Sequence, residues 1–564
     1  MRRAFLLFLG VVAATWLEYE FFPGHTYLEG DTQIYLPILE RLDAPGFLSR
    51  DLVATHPNVT HTIYDEVTLS LHGVLNLNFQ TALMAQQLLY RAAAIFGVFL
   101  LASSAGVGNV LAYLIAILLN LGATLPGPAV PLVDREPVPS AFAFGLALLA
   151  AGLIACEKPL LAGFAGGVAI LYDPVIVAPL WAVIIACFLF DKRLRRLMRP
   201  TLTILVIFVL LSANLAQLQP GVVESQELFS KISEPFAKLQ QFRTPFVWIG
   251  LWAAHEMWHY LAIFVCGIWA TARIWPALQR QVRWLLLALP VCGIISVPVS
   301  AVLLDDLGWS LIPRIQPARA LLFTVAFSSL ACAIAGIRAA TRRSRFEAGS
   351  WFVVVFAIPL NVRVLDLFTF TNWNHLLELG VAVVLALMLV VSVARLGSTK
   401  WKSMVLVPAI AAIFLLLFVG RRGNGSKLDR HLTLELASWA EENTWGSSMF
   451  LFPDAGRELY PGIFRAESQR ALWVDWKSGS LVPYFESLAI EWWQRWQETM
   501  QRGFSAQRLQ SMLSLPIDYY VLKPQNQLVG VPPVYQNRDF VVYDSTNLKN
   551  ARAPLRIRTS HDQR

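Results

Sequence analysis

MRRAFLLFLGVVAATWLEYEFF, residues 1–22, starts with two arginines and runs on into an apolar stretch. It looks like a secretory leader, but it lacks a clear small-x-small cleavage site and many further apolar runs follow it, so it is read as a retained first transmembrane helix. The rest of the chain must then alternate across a bilayer. Crossing the hydrocarbon core takes about 20 apolar residues, and by that rule about thirteen spans are expected. They begin near Ala4, Gln80, Val107, Ser140, Pro159, Pro174, Thr201, Phe246, Trp284, Arg319, Gly349, Leu376 and Ser403. The Pro159 segment is the shortest and ends at a Tyr172-Asp173-Pro174 break. Composition agrees: 56% hydrophobic and 15% charged residues over 564 positions make a chain too apolar for a water-soluble protein.

With Arg2 and Arg3 in the cytoplasm, alternation gathers the basic clusters on that side: Lys192 to Arg199, Arg273 to Arg283, Arg338 to Arg345, and Arg395 to Lys402. The net charge of +8 is therefore written as topology, and no nucleic-acid partner is expected. The opposite face receives the long loops 23–79, 126–139 and 218–245, together with the tail. Any chemistry is expected there, outside the plasma (inner) membrane of a cell. All five cysteines lie in apolar runs, so no disulfide is expected in a water-facing region.

Two regions follow from this reading: a transmembrane region, residues 1–425, and an extracytoplasmic α/β region, residues 426–564. In the tail, HLTLELASWAEEN (431–443) and PYFESLAIEWWQRWQETM (483–500) carry helical spacing. SMFLFP (448–453), ALWVDW (471–476), DYYVL (518–522) and FVVYD (540–544) read as short strands.

Candidate chemistry falls mostly in the outer loops. Glu29 and Asp31 follow the first span, where a carboxylate at the mouth of a membrane cavity can serve as a general base; the bland alternative is a solvated acid or a helix cap. Asp134 and Glu136 form a D-x-E pair in PGPAVPLVDREPVPS (126–140), which can hold a divalent cation or can simply be a proline-bounded turn. Arg91, Arg314, Arg319 and Arg363 are cations in or near apolar segments, suited to a lipid phosphate or to snorkelling. HEMWH, residues 255–259, is an H-E-x-x-H pattern whose histidines share a helical face and could ligate zinc, with Asp305 or Asp306 as a third ligand. Its position at the outer end of a span makes zinc proteolysis the minor reading. His255, Glu256 and His259 are instead expected to line an outer cavity with Asp51 and Asp173. Neither a Walker-type phosphate loop nor a G-x-G-x-x-G motif is present, so an outer-face synthesis needs a donor already activated in the membrane.

The layout resembles the GT-C superfamily of membrane glycosyltransferases. It shares a cytoplasmic N-terminus, an acid just past the first helix, further acids in the second outer loop, about thirteen spans and an outer C-terminal region. Locally, GDTQIYLPILERLD (30–43), SWAEENTWGSSMFLFP (438–453) and FRAESQRALWVDWKSG (464–479) look like bacterial membrane proteins of that type. The resemblance implies transfer of a hexosyl or pentosyl unit from a polyprenyl-phosphate-linked donor to an extracytoplasmic acceptor. Asp31, with Glu29, would be the catalytic acid pair, and Arg319, Arg91 and Arg314 would hold the donor phosphate. Asp134 with Glu136 would hold Mg or Mn where a metal is used; zinc is not expected. The WWDYG acceptor motif of oligosaccharyltransferases is absent, and VDWKSG (474–479) does not replace it. A multi-pass transporter and a non-catalytic GT-C-like protein remain alternatives, and Asn58-Val59-Thr60 is a glycosylation sequon only in a compartment that uses it.

Overall fold

A computed structural model describes residues 2–21, 23–56, 63–218, 229–358, 373–396, 430–551 and 554–557. Arg363, the 58–60 sequon and the run expected from Ser403 lie outside the described residues. The first helix, Arg2–Glu20, is present, and helices stand at or near the other expected starts among the described residues, except at Phe246, where 3-10 turns precede a helix that opens at Ala254. Six are long and apolar enough to cross a membrane: Phe79–Ser104, Arg195–Leu218, Ala254–Ala277, Arg280–Asp306, Ile312–Thr341 and Leu376–Val393. Asn109–Asn120, Pro139–Ala155, Pro159–Tyr172 and Pro174–Phe190 are apolar but shorter.

Burial separates the bundle's axis from its lipid face. In the helix Leu321–Thr341 nearly every side chain is buried, whereas Arg195–Leu218 buries only Met198 and Thr201 and exposes Val206, Ile207, Val209 and Leu210. An apolar face so open to its surroundings suits hydrocarbon as solvent, which makes this a membrane protein. Helices at the axis approach closely through small residues: a Cβ on Gly97 would fall 2.4 Å from the Leu148 carbonyl oxygen, so no larger residue fits there.

The tail elements appear near their expected positions as His431–Asn443, Glu486–Thr499, β3 (Met449–Leu451), β4 (Ala471–Leu472), β5 (Tyr519–Leu522) and β7 (Val541–Asp544), joined by β6 (Tyr535–Gln536). Two further strands among the described residues, β1 (Thr124–Leu125) and β2 (Val130–Pro131), pair as a small hairpin before the helix Pro139–Ala155. The tail sheet runs β4-β3-β5-β7-β6, with β3 parallel to β4 and β5, and β7 antiparallel to β5 and β6. Its two faces follow the period-2 alternation of strands. Phe450, Leu472, Val521 and Val542 pack with Leu436, Ala440 and Phe464. Met449, Leu451, Tyr520 and Leu522 pack with Trp492 and also with Ile34, Ile38, Leu52, Val53, Phe236 and Leu239. That second core therefore joins residues of the tail to the segment 34–53 and to the helix Glu234–Arg243.

Candidate active site

The turn Glu29–Gly30–Asp31 leads into the helix Thr32–Asp43, whose first amides need acceptors. Asp31 occupies the N-cap position, yet its side chain makes no capping bond. Glu136, just before the helix Pro139–Ala155, performs that task. Its Oε1 accepts the N–H groups of Glu29 at 2.6 Å and Gly30 at 2.5 Å, and its Oε2 accepts the Thr32 N–H and hydroxyl at 2.9 Å each. Gly30 is required by this approach, since a Cβ there would stand 2.8 Å from Glu136 Oε2. Burial pushes the Glu136 carboxyl up, and the Thr32 hydrogen bonds oppose that shift. The capping alternative considered for Asp31 thus does not hold.

Freed from capping, the Asp31 carboxylate faces a cavity of about 340 Å³, within the range of small-molecule sites. Lys477 Nζ, from the tail, donates to Asp31 Oδ1 at 2.6 Å. The ammonium holds the Asp31 carboxyl below the usual range against the effect of burial, and Arg319 and Arg243 act in the same direction. The Asp31 side chain is 52% exposed and that of Lys477 14%, so the carboxylate reaches the cavity while the amine is held in the wall. Lys477 is placed by the turn Asp475–Ser478, in which Asp475 accepts the Lys477 and Ser478 N–H groups. Asp475 is anchored in turn by the buried Arg465 at 3.0 Å.

The cavity is also lined by Glu29, Tyr35, Arg243, Gln316, Arg319, Trp476 and Tyr484. Arg243 donates to the Trp476 carbonyl at 2.7 Å and lies over the Trp476 ring at 4.3 Å; burial lowers its pKa to about 10. Glu29 has Arg430 at 4.0 Å.

The other expected site residues are distributed differently. Arg91 is buried with its Nη2 donating to the carbonyls of Gly24 at 2.7 Å and Asp134 at 2.8 Å, and lines a smaller pocket. It ties the segment at Gly24 to that at Asp134 and is not among the residues lining the cavity with Asp31. Arg314 lies on the short helix Ile312–Ile315 and is not among the lining residues. Asp51 is buried under the tail, where it accepts Val53, Ala54 and Leu472 N–H groups. Asp173 caps the helix Pro174–Phe190 through Val175 and Ile176 N–H, so the expected break is a capped junction.

HEMWH occupies the first two turns of the helix Ala254–Ile274. His255 is exposed, His259 stands edge-on to Tyr260, and neither they nor Glu256 line the cavity with Asp31. Asp305, the expected third zinc ligand, accepts Gly250 N–H at 2.7 Å. Among the described residues no group of three potential metal ligands gathers. Asp134 and Glu136 do not fit a divalent cation as they stand. Glu136 is engaged by four donors, while Asp134 accepts the Glu136 N–H and has its pKa pushed up to about 7, chiefly by burial.

Lys477, Arg243, Gln316 and Tyr484 were not singled out from the sequence. Lys477 lies in VDWKSG, but no local pattern ties it to an acid 446 residues away.

Residues 432–499 match a family model described as a domain of unknown function, DUF6798. No protein of curated function matches the sequence. Among solved structures the chain is similar to ArnT from Cupriavidus metallidurans bound to undecaprenyl phosphate, at 13% identity and a TM-score of 0.49, over 96% of this chain and 98% of that one. It is similar to AglB, the oligosaccharyltransferase of Archaeoglobus fulgidus in complex with an inhibitory peptide and a dolichol-phosphate, at 11% identity and a TM-score of 0.41, over 93% and 70%. It is also similar to the arabinofuranosyltransferase AftD from Mycobacteria, at 13% identity and a TM-score of 0.40, over 97% of this chain and 42% of that one.

Proposed function

We propose that the protein moves a hexosyl or pentosyl unit from a polyprenyl-phosphate-linked donor to a hydroxyl acceptor on the extracytoplasmic side of the plasma membrane. In this reading about thirteen spans cross the bilayer, the N-terminus is cytoplasmic, and the tail is outside. The observation that carries it is Asp31: an uncapped carboxylate open to a cavity whose wall also presents Lys477, Arg319 and Arg243. One carboxylate for an acceptor hydroxyl and several cations for a phosphate are what such a displacement needs.

The acceptor hydroxyl hydrogen-bonds to Asp31 and attacks the anomeric carbon. The bond from that carbon to the phosphate oxygen breaks, the polyprenyl phosphate leaves with the electron pair, and Asp31 takes the proton. At rest Lys477 makes Asp31 a weak base. A phosphate arriving beside Lys477 offsets that charge and raises the proton affinity of Asp31 once the donor is in place. Arg319 and Arg243 then stabilise the departing phosphate, a charge that Mg or Mn supplies in metal-dependent members of the superfamily. Glu29 stands on the same wall and helps orient the acceptor.

The test is release of undecaprenyl phosphate from undecaprenyl-phosphoryl glucose, mannose and arabinose by the full chain in nanodiscs, with a mixture of envelope glycans as acceptors. Release by wild type that disappears with Asp31→Asn supports the reading. Release undiminished in the variant removes Asp31 from its role, and no release from any donor removes the function.

A further inference from the structure

Gln316 stands between the short helix Ile312–Ile315 and the 3-10 turn Pro317–Ala320, with φ 38° and ψ 62°. This left-handed backbone is open to glycine and unfavourable for a residue with a long side chain. The residue is only 6% exposed and forms part of the cavity wall beside Arg319 and Tyr484. Its Oε1 has no hydrogen-bond partner among the described residues. Backbone strain and a buried acceptor left unpaired are both unfavourable, and such pairs collect where a ligand completes the arrangement.

The chemistry of Oε1 restricts that ligand. An amide oxygen only accepts, so a phosphate oxygen cannot satisfy it; a hydroxyl or an amine can. Three residues further on, the Arg319 guanidinium supplies the cation that a phosphate needs, and its Nε is likewise unpaired among the described residues. We propose that Gln316 is a specificity-determining residue whose Oε1 accepts a hydrogen bond from a hydroxyl of the donor's sugar, while Arg319 holds the adjoining phosphate. The assignment rests on the glycosyl-transfer reading.

The test compares binding of bare undecaprenyl phosphate with that of undecaprenyl-phosphoryl glucose, mannose and arabinose to the full chain in nanodiscs, followed by tryptophan fluorescence. Wild type binds one glycosylated lipid more tightly than the bare lipid. Gln316→Leu removes the acceptor, and Gln316→Gly removes it while relaxing the backbone. Both variants are expected to lose roughly 3- to 10-fold of that preference with bare-lipid affinity unchanged, and Gln316→Gly to keep or raise the thermal midpoint. Should Gln316→Leu fail to fold, Gln316→Gly alone decides. A preserved preference, an equal fall for bare and glycosylated lipid, or a wild type indifferent to the sugar overturns the role of Gln316 and leaves the transfer reading standing. A wild type that binds none of these lipids overturns both.

Discussion

Asp31 and Asp191 are both N-terminal to a helix and both paired with a basic residue from a distant segment, yet they sit in opposite chemical situations. Asp191 follows the helix Pro174–Phe190, at the far end from Asp173, which acts electrostatically on two tyrosines of the Asp31 cavity. Asp191 Oδ1 accepts Arg193 and Leu194 N–H, and its Oδ2 accepts Trp284 Nε1 at 3.0 Å and the Arg280 guanidinium. With its side chain 2% exposed, it has no room for a further partner. Asp31 gives up its capping duty to Glu136, keeps one contact to Lys477, and turns its remaining lone pairs to a cavity. A carboxylate saturated by its own protein ties segments together, whereas one relieved of that work is available to a substrate.

The contrast can be broken by measurement. The largest effect is expected from Asp31→Asn, a loss of roughly 100- to 10,000-fold in sugar transfer with only the small fall in thermal midpoint that follows from losing the Lys477 ion pair; equal loss of activity and stability would make Asp31 as structural as Asp191. Lys477→Met comes next, with transfer down by roughly 100-fold. Because Lys477 depresses the Asp31 pKa, its removal moves the acid limb of kcat/KM to higher pH. The stabilisation from this pair is present above the ordinary carboxylate range and fades as pH falls through the depressed value, so Lys477→Met should narrow the stability difference between pH 7 and pH 3.

Glu136→Gln sharpens the comparison from the other side. It replaces an anionic acceptor of three amides and a hydroxyl, so about 1–3 kcal/mol of stability is expected to go, together with roughly 10-fold in transfer as the Asp31 turn loosens. The smallest effect on activity is expected from Asp191→Asn. Its thermal midpoint should fall by a few degrees, for about 1–3 kcal/mol, while transfer per folded molecule stays within about twofold. A catalytic loss there matching that of Asp31→Asn would erase the distinction.

Much of the fold was legible because hydrocarbon imposes a length and a polarity on any segment that crosses it. Helix starts at Gln80, Pro174 and Trp284 were readable to within a few residues, as were the tail strands, since a strand buried on both faces is a short apolar run. Phe246 was less well placed: residues 245–251 form 3-10 turns, and the helix opens at Ala254, which puts HEMWH at a helix start, with no group of three potential metal ligands among the described residues. Arg91, a candidate for the donor phosphate because a cation in an apolar segment needs a partner, has the Gly24 and Asp134 carbonyls as acceptors, contacts that no local pattern announces.

The sequence by itself determined that this chain is a membrane protein built mostly of apolar helices, and it put Asp31 and Arg319 among the candidates. Those conclusions rest on local quantities: run length, charge distribution and residue type. The partner of Asp31, the relief of its capping role by Glu136, and the shared core that brings Lys477 over the cavity were decided by tertiary structure. Each of these joins positions about a hundred to several hundred residues apart, and a hydrogen bond of 2.6–2.9 Å leaves no trace in the spacing of residues along the chain.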